Sequence, residues 1–392
     1  MRHGASRHGG GAVRILHVVP TYLPATRYGG PIHSVHGLAR AQAALGHEVH
    51  VATTSVDGPS DSPVPLGHPV DLDRVSVWYF RSPALRRLYW APSMARYYSR
   101  QMPAFDVCHL HSVFLWPTNR AARSAARAGV PYVVSPRGML DPDLIRQRSR
   151  LLKTAWIQLV EKWTIEHAAV VHFTSRLELQ ACDALGLRPR STSVIPNGFD
   201  AGDVQASASP SAAAPYVLYL GRVTWKKGID RLIRAMASLP DLRLVVAGND
   251  EESLTPALQA LASELGIGDR VTFPGAVAGA AKWDLLRAAR CMVLPSRSEN
   301  FGNVVLEALA AGCPVVITKN VGIAEYLDDA AAVTAPDPEA LAEAIARLHG
   351  DCEHRERQRE SGREKLLQFT WETVAKRMVE AYGDAATGSR AA

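Results

Sequence analysis

The sequence has 392 residues, of which 47% are hydrophobic and 21% are charged. This length and composition predict a folded protein of two domains and exclude a disordered or fibrous chain. Lys and Arg exceed Asp and Glu by 44 to 38, which gives a net charge of +6. A mild positive charge suits an anionic ligand or an anionic membrane surface, and it equally suits a merely solubilising surface.

Cysteine usage and the lack of long apolar runs predict a cytoplasmic location. The five cysteines are odd in number and show no Cys-x-x-Cys spacing, so neither a disulfide framework nor a zinc site is expected. No apolar run reaches the roughly 18 residues of a membrane span. The apolar stretch Val13–Pro20 contains Arg and His, so we interpret it as a first buried strand rather than a signal peptide.

Short β-branched runs alternate with helical periods from residue 13 onward, a pattern typical of parallel sheets with crossover helices. Pro31 and Gly46 bound a stretch whose apolar residues recur at helical spacing, which predicts a helix after the first strand. In the first half of the chain the predicted strands are Ile15–Val19, Glu48–Thr53, Val107–His111, Tyr132–Ser135 and Val170–Thr174.

A composition rich in Ala, Ser and Pro predicts a linker at 201–215, between an N-terminal domain at 1–200 and a C-terminal domain at 216–370. The segment 371–392 contains an amphipathic helix that is free to cross back to the first domain. In the second domain the predicted strands are Tyr216–Leu220, Leu242–Ala247, Val271–Phe273, Cys291–Leu294 and Val315–Ile317. The predicted fold class is therefore α/β, with two Rossmann-like domains whose parallel sheets face each other across a ligand cleft.

The strongest motif is the segment Glu299–Glu307, in which two carboxylates bracket Gly302. It follows the strand Cys291–Leu294 and opens a helix, so free backbone N–H groups and a positive helix end are expected to bind a diphosphate there. Each carboxylate can accept hydrogen bonds from a vicinal diol, and a nucleotide sugar carries such diols on its sugar and on its ribose. The alternative is that Glu299 is a cap and Glu307 a solvated helix residue.

A second motif, Gly221–Gly228, follows the strand Tyr216–Leu220 and carries the cations Arg222 and Lys227. Two fixed cations in a glycine-bounded loop suit a diphosphate leaving group whose charge develops during reaction. A basic surface loop is the alternative interpretation.

The order of these motifs resembles glycosyltransferase family 4. Besides Gly221–Gly228 and Glu299–Glu307, the segments Val245–Gly248 and Val194–Gly198 match the usual order of that family. The resemblance extends from about residue 13 to 385. The segment Ser135–Pro142 resembles one found in members of the family that build bacterial surface polysaccharides.

The resemblance implies a retaining enzyme of the GT-B fold that needs no metal and no cofactor and uses a nucleotide diphosphate sugar. It implies that Glu299 binds the sugar hydroxyls and Glu307 the ribose, and that Arg222 and Lys227 bind the diphosphate. The further donor-binding residues that it implies are Phe301, Gly302, Asn303, Gly248, Asn249 and Val277.

The first half of the chain offers candidates for the transferred sugar and for the acceptor. Gly29 and Gly30 resemble the glycine loop of the family, although a simple tight turn also explains them. His109 and His111 share one face of a strand, and His111, nearer the carboxyl end, is the better candidate to face the sugar. A purely structural histidine is the alternative. Arg137 is a candidate for the acceptor, or else a member of a structural salt bridge.

Two weaker patterns concern membrane binding and metal binding. Trp156, Leu159, Val160 and Trp163 fall on one helical face among basic residues, which favours core packing over a membrane-surface helix. The spacings at Asp71–Asp73 and Asp141–Asp143 do not follow a convincing strand and donor loop, so a metal-bound diphosphate is not expected.

The predicted function is hexosyl transfer from a nucleotide sugar to a lipid-linked saccharide at the inner face of the cytoplasmic membrane. Nucleic acid is not an expected partner. The alternatives are a nucleotide-sugar epimerase or phosphorylase of the same fold, and a non-catalytic sugar-nucleotide-binding protein of an assembly complex. The identities of the sugar, the nucleotide and the acceptor do not follow from the sequence.

Overall fold

The structure, a computed structural model, describes residues 11–25, 30–142, 145, 150–200 and 215–388. They form two compact units. The first unit consists of the chain up to Phe173, of Glu178–Gly198 and of the segment from Trp371 onward; the second consists of Thr174–Leu177 and Phe199–Thr370. Each unit is an α/β layer structure around a parallel sheet, which confirms the predicted fold class.

The sheet of the first unit has eight strands in the order β10-β9-β8-β7-β1-β2-β6-β5. All neighbouring strands are parallel except β5 and β6, which form an antiparallel edge. A short hairpin, β3 and β4, stands apart from this sheet. The strands are β1 (Arg14–Thr21), β2 (Glu48–Thr54), β3 (Val56–Asp57), β4 (Ser60–Asp61), β5 (Pro69–Leu72), β6 (Val75–Phe80), β7 (Val107–His111), β8 (Tyr132–Ser135), β9 (Val170–Phe173) and β10 (Thr192–Val194).

Helices cover this sheet with small and apolar side chains, as crossover helices in a parallel α/β layer must. The C-terminal helix Trp371–Gly388 packs on the first unit through Val374, Ala375 and Met378, which are buried in the same apolar cluster as β1 and β2 residues. The helices described here are Gly30–Ala44, Pro92–Gln101, Trp116–Ala128, Arg150–Trp156, Lys162–Glu166, Arg176–Ala184 and Trp371–Gly388.

The sheet of the second unit has six parallel strands in the order β13-β12-β11-β14-β15-β16. The strands are β11 (Tyr216–Leu220), β12 (Arg243–Ala247), β13 (Val271–Gly275), β14 (Cys291–Leu294), β15 (Val315–Thr318) and β16 (Ala332–Thr334). The helices around them are Ile229–Met236, Thr255–Glu264, Gly279–Ala288, Asn303–Ala310, Pro338–Gly350 and Cys352–Leu366. The strand order reverses between β11 and β14, and ligands of doubly wound sheets bind where such a reversal occurs.

The sequence prediction lacks β5, β6, β10 and β16, together with the hairpin β3–β4, whereas it includes the edge strand β13. Of the missing strands, β5, β10 and β16 lie at sheet edges and β6 lies next to β5. These strands are short or alternate in burial, as β5 and β6 do, so they lack the continuous apolar run by which central parallel strands are found.

The predicted core face of the helix around residue 160 is wrong at Leu159, whereas Trp163 packs against the apolar core as predicted. Ile157–Glu161 form a π-helical turn, which adds residues to one turn and so rotates the helix surface. As a result Ile157 and Glu161 are buried, whereas the side chain of Leu159, which was expected to pack in the core, is 77% exposed. Within the described part of the chain, none of the helices is long and apolar enough to cross a membrane.

Candidate functional site

The two motifs of the second unit lie side by side at the point where the strand order reverses. Gly221–Gly228 follows β11, and the loop that leads to Gly302 follows the neighbouring strand β14. The backbone N–H of Arg297 donates to the carbonyl oxygen of Lys226 over 2.7 Å, which joins the two loops. Adjacent parallel strands thus bring together two segments that are distant in the sequence.

Lys227 and Glu299 form an ion pair between these two loops. Their side chains are only 14% and 19% exposed, so water screens the pair much less than it would at the surface. Lys227 ends a single 3₁₀ turn, Trp225–Lys227. The backbone of Glu299 is held by two hydrogen bonds of 3.0 Å each: its N–H donates to the carbonyl oxygen of Asn320, and its carbonyl oxygen accepts from the N–H of Gly322. The support by Asn320–Gly322 has no signal in the sequence, because it comes from the segment after β15, the strand next to β14.

The loop turns into the helix Asn303–Ala310 at Gly302, as the motif predicted. Gly302 has φ +97° and ψ +54°, and a Cβ atom there would collide with the side chain of Val321, so only glycine fits. Phe301 is buried and anchors the loop, while Asn303 is the first helical residue. The N-cap residue Gly302 has no side chain with which to cap the helix, and the positive helix end lies next to the loop that carries Glu299.

Two other predicted ligand residues lie nearby but are engaged in ion pairs. The carboxylate of Glu307 lies 3.1 Å from the ammonium of Lys282, and both side chains are partly exposed. The guanidinium of Arg222 lies 2.9 Å from Glu251, and its side chain is 57% exposed. A pair as exposed as Arg222–Glu251 contributes little to stability, so an anionic ligand can replace Glu251 at low cost.

A cavity of about 200 Å³ opens in the second unit beside the loop after β11. Gly248 and Asn249 line it, as do Phe273, Gly275 and Ala276, whereas Val277 is not among its lining residues. Gly248 has φ +157°, and a Cβ atom there would collide with the carbonyl oxygen of Gly221. The resemblance implied donor contacts at Gly248 and Asn249, and the aromatic side chain of Phe273 gives the cavity beside them an apolar wall.

In the first unit the structure places His111 and Arg137 in contact, with an Nη2–Nδ1 distance of 3.2 Å. Arg137 also donates from Nη1 to the amide oxygen of Asn197 over 2.8 Å, and it has a left-handed backbone with φ +57°. His111 is 1% exposed, and its Nε2 lies 2.9 Å from Nδ1 of His17, so both ring nitrogens are occupied. Gly30 begins the helix Gly30–Ala44 and is exposed, while Gly29 lies outside the described residues.

Three buried residues around His111 escaped the sequence analysis. His17 and His172 lie with His109 and His111 in the core, and Tyr382 reaches them from the C-terminal helix. Burial lowers the pKa of His17 to about 4 and that of His172 to about 3. The sequence shows that His17 and His172 lie inside the strands β1 and β9. A single polar residue in an apolar strand does not reveal its hydrogen-bond partners, however.

Two family models match the chain. The model described as "Glycosyl transferases group 1" matches residues 205–365, and "Glycosyl transferase 4-like domain" matches residues 29–198. The chain is 31% identical to a D-inositol 3-phosphate glycosyltransferase of Stackebrandtia nassauensis, over 72% of this chain and 68% of that protein. It is 35% identical to the lipopolysaccharide core biosynthesis glycosyltransferase LpsE of Rhizobium meliloti, over 47% of this chain and 56% of that protein.

Among solved structures, the fold is similar to that of Anabaena Alr3699/HepE in complex with UDP and glucose. The TM-score is 0.71 at 22% identity, and the match covers 94% of this chain and 98% of that one. At this level of identity the likeness concerns the fold alone.

Proposed function

Because the chain belongs to the glycosyl transferases of group 1, we propose that it is a retaining, metal-independent enzyme that transfers a sugar from a nucleoside diphosphate sugar. We propose a hexose as the transferred sugar and a saccharide as the acceptor, carried on a lipid, in the assembly of a surface polysaccharide. The names of its relatives support this choice, since one of them acts in lipopolysaccharide core biosynthesis.

The observation that carries the proposal is the meeting of Lys227 and Glu299 at the strand reversal of the second unit. The partly buried ammonium of Lys227 and a helix start are both complementary to a diphosphate, and both stabilise the negative charge that develops on it as the sugar leaves. When the diphosphate binds Lys227, the carboxylate of Glu299 is released from its ion pair and accepts hydrogen bonds from sugar hydroxyls. Until the donor binds, the ion pair therefore neutralises the charges of both side chains.

The other donor contacts follow from the same geometry. The cavity beside Gly248 and Asn249 suits the base, and Glu307, in the helix that follows the loop, suits the ribose diol. Arg222 is placed to exchange Glu251 for a phosphate oxygen. No metal is invoked, because the two cations and the helix start already supply the positive charge that the leaving group needs.

The acceptor is assigned to the first unit, where Arg137 provides a cation and Gly30 begins a helix. Retention without a carboxylate nucleophile implies front-face attack through an oxocarbenium-like state. The leaving phosphate then accepts the proton of the acceptor hydroxyl, so the protein itself need not supply a general base.

Product analysis tests the proposal. A panel of nucleoside diphosphate sugars is offered with a lipid-linked saccharide extract in the presence of a chelator, and mass spectrometry is expected to find one transferred hexose per acceptor. NMR is expected to show the anomeric configuration of the donor in the product. Conversion of the donor without acceptor would instead identify an epimerase, and a dependence on divalent cations would overturn metal independence.

Matched variants connect the activity to the ion pair. Lys227→Met and Glu299→Gln are each expected to lower kcat/KM by about 100- to 1,000-fold, because each removes a group that acts on the transition state. Lys226→Met removes a neighbouring lysine of the same loop and is expected to retain most of the activity. Near wild-type transfer by Lys227→Met would show that the pair has no part in the reaction.

A further inference from the structure

Four histidines meet in the core of the first unit. His17 comes from β1, His109 and His111 from β7, and His172 from β9, and each is at most 3% exposed. The rings of His109 and His111 lie 4.1 Å apart between centroids. Nitrogen atoms of His17, His109 and His111 lie within 4.8 Å of one another, which is the spacing of a metal site. Which of their nitrogens carry protons decides between a metal site and a hydrogen-bonded array.

One end of the array is fixed by Arg137, because a guanidinium can only donate. Its Nη2 lies 3.2 Å from Nδ1 of His111, so that nitrogen accepts and the ring proton is on Nε2. Nε2 of His111 therefore donates to Nδ1 of His17 over 2.9 Å. His17 then carries its own proton on Nε2, which donates to the amide oxygen of Gln42 over 2.8 Å.

The other end is fixed by the carbonyl oxygen of Ile195, which can only accept. Nε2 of His172 lies 2.8 Å from it and therefore carries a proton. Nδ1 of His172 then accepts from the hydroxyl of Ser135 over 2.6 Å. Since that hydroxyl has used its hydrogen, its oxygen accepts from Nε2 of His109 over 2.7 Å.

The two halves meet at the hydroxyl of Tyr382, on the C-terminal helix. It lies 3.2 Å from the amide nitrogen of Gln42 and 2.6 Å from Nδ1 of His109. The amide donates to the phenol oxygen, and the phenol donates to Nδ1 of His109, so the directions derived from the two ends agree. Reversal of the chain would place two donors together at Arg137 and two acceptors together at Ile195. An extra proton on any ring would likewise leave two donors facing each other or a hydroxyl without an acceptor.

We propose that His17, His109, His111 and His172 form one hydrogen-bonded chain as neutral Nε2–H tautomers, in which His111 is a positioning residue for the guanidinium of Arg137. Nδ1 of His111 and the amide oxygen of Asn197 are both uncharged acceptors, so they orient the guanidinium without neutralising it. The positive charge stays available to a ligand. The part of the proposal that concerns catalysis rests on the proposed function, in which Arg137 binds the acceptor.

The electrostatics of the core favour the same protonation state. Burial lowers the pKa of His109 and of His111 well below the usual range, and the charge of Arg137 acts in the same direction. Arg377 also disfavours a proton on His172. Burial lowers the pKa of the Arg137 guanidinium to about 10, and the carboxylate of Glu178 offsets part of that effect, so the group keeps its charge near neutral pH. All ring nitrogens that a metal ion would need are already hydrogen-bonded.

NMR on the full chain with ¹⁵N-labelled histidine tests the chain without reference to activity. Four rings are expected to show a protonated Nε2 that exchanges slowly with water and an unprotonated Nδ1, at pH 7.5 and at roughly pH 6 alike. A buried ring with a protonated Nδ1, or with both nitrogens protonated, would overturn the proposal. Added Zn²⁺ is expected to leave the four rings unchanged, and a joint shift of three of them would show a metal site instead.

Two variants of His111 test the positioning role. Asn places an amide oxygen near the position of Nδ1 and keeps an acceptor for Arg137, whereas Gln reaches the position of Nε2 and leaves the guanidinium without one. His111→Gln is expected to lower kcat/KM for the acceptor by about 10- to 100-fold, while His111→Asn costs only a few-fold. In the Arg137→Met background His111→Gln is expected to cost nothing further, because it acts through Arg137. Additive losses would overturn the positioning role.

A control and a second readout separate this proposal from the proposed function. Tyr132→Phe removes a buried hydrogen bond of 2.9 Å to the carbonyl oxygen of Thr164 in the same unit, outside the chain, and is expected to leave kcat/KM unchanged. If the protein transfers no sugar, the ¹⁵N signals of the Arg137 guanidinium still test whether His111 positions that group. They are expected to show hindered rotation in wild type and in His111→Asn, and free rotation in His111→Gln; hindered rotation in all three would overturn the positioning role.

Discussion

Acidification from pH 7 to pH 5 is expected to destabilise the first unit selectively. This unit holds four buried neutral histidines, and burial lowers the pKa of His17 to about 4, that of His172 to about 3, and those of His109 and His111 well below 6.5. The described part of the second unit has no buried histidine, so it serves as an internal control.

The sign and the size follow from proton linkage. Well above pH 6.5 the histidines are neutral in both the folded and the unfolded state, so they have no effect on stability there. Below pH 6.5 the histidines of the unfolded chain bind protons, whereas those of the folded unit stay neutral until the pH reaches their lowered pKa values. The free energy of unfolding therefore falls as the pH falls from about 6.5 to those values. Between pH 7 and pH 5 each histidine lowers the free energy of unfolding by about 1.8 kcal/mol, which gives about 7 kcal/mol for the four. A domain is stable by about 5–15 kcal/mol, so the loss is a large part of the total.

Urea unfolding followed by pulsed hydrogen exchange and mass spectrometry measures the two units separately at each pH. His172→Gln is expected to reduce the proton uptake on unfolding of the first unit by about one proton near pH 5, and His167→Gln, at an exposed position, is the matched control. A first unit that loses less than about 2 kcal/mol between pH 7 and pH 5, or no more than the second unit loses, would refute the reasoning.

Two further predictions concern packing. Gly248→Ala is expected to destabilise the second unit by about 3 kcal/mol or more in urea unfolding, because its Cβ atom would collide with the carbonyl oxygen of Gly221; a loss below about 1 kcal/mol would show that the loop can shift. Ile157→Ala is expected to cost about 2–4 kcal/mol and Leu159→Ala less than about 0.5 kcal/mol, and equal losses would contradict the π-helical turn.

Central strands were predictable because burial on both faces demands a continuous apolar, β-branched run. Val107–His111, Tyr132–Ser135, Tyr216–Leu220 and Cys291–Leu294 have the predicted bounds in the structure. The π-helical turn at Ile157–Glu161 was not predictable, since a local change of helical period depends on what the helix packs against.

The candidate site was predictable in its residue types but not in its contacts. Glycine at position 302 and the cation at 227 are local requirements of a turn and of an anionic ligand, so they can be read from the motifs alone. The partners Asn320 and Lys282, which hold Glu299 and Glu307, have no such local cause.

The sequence by itself determined the alternation of strands and helices, the loops after β11 and β14, and the family to which they point. Only the tertiary structure decided that Lys227 and Glu299, 72 residues apart, form an ion pair. It also decided that four histidines from three strands, with Tyr382 from the C-terminal helix, form one directional chain. The physical reason is that a strand's own residues determine its burial, whereas the order of strands in the sheet determines which polar groups share the interior, and each buried group must then find its partner there.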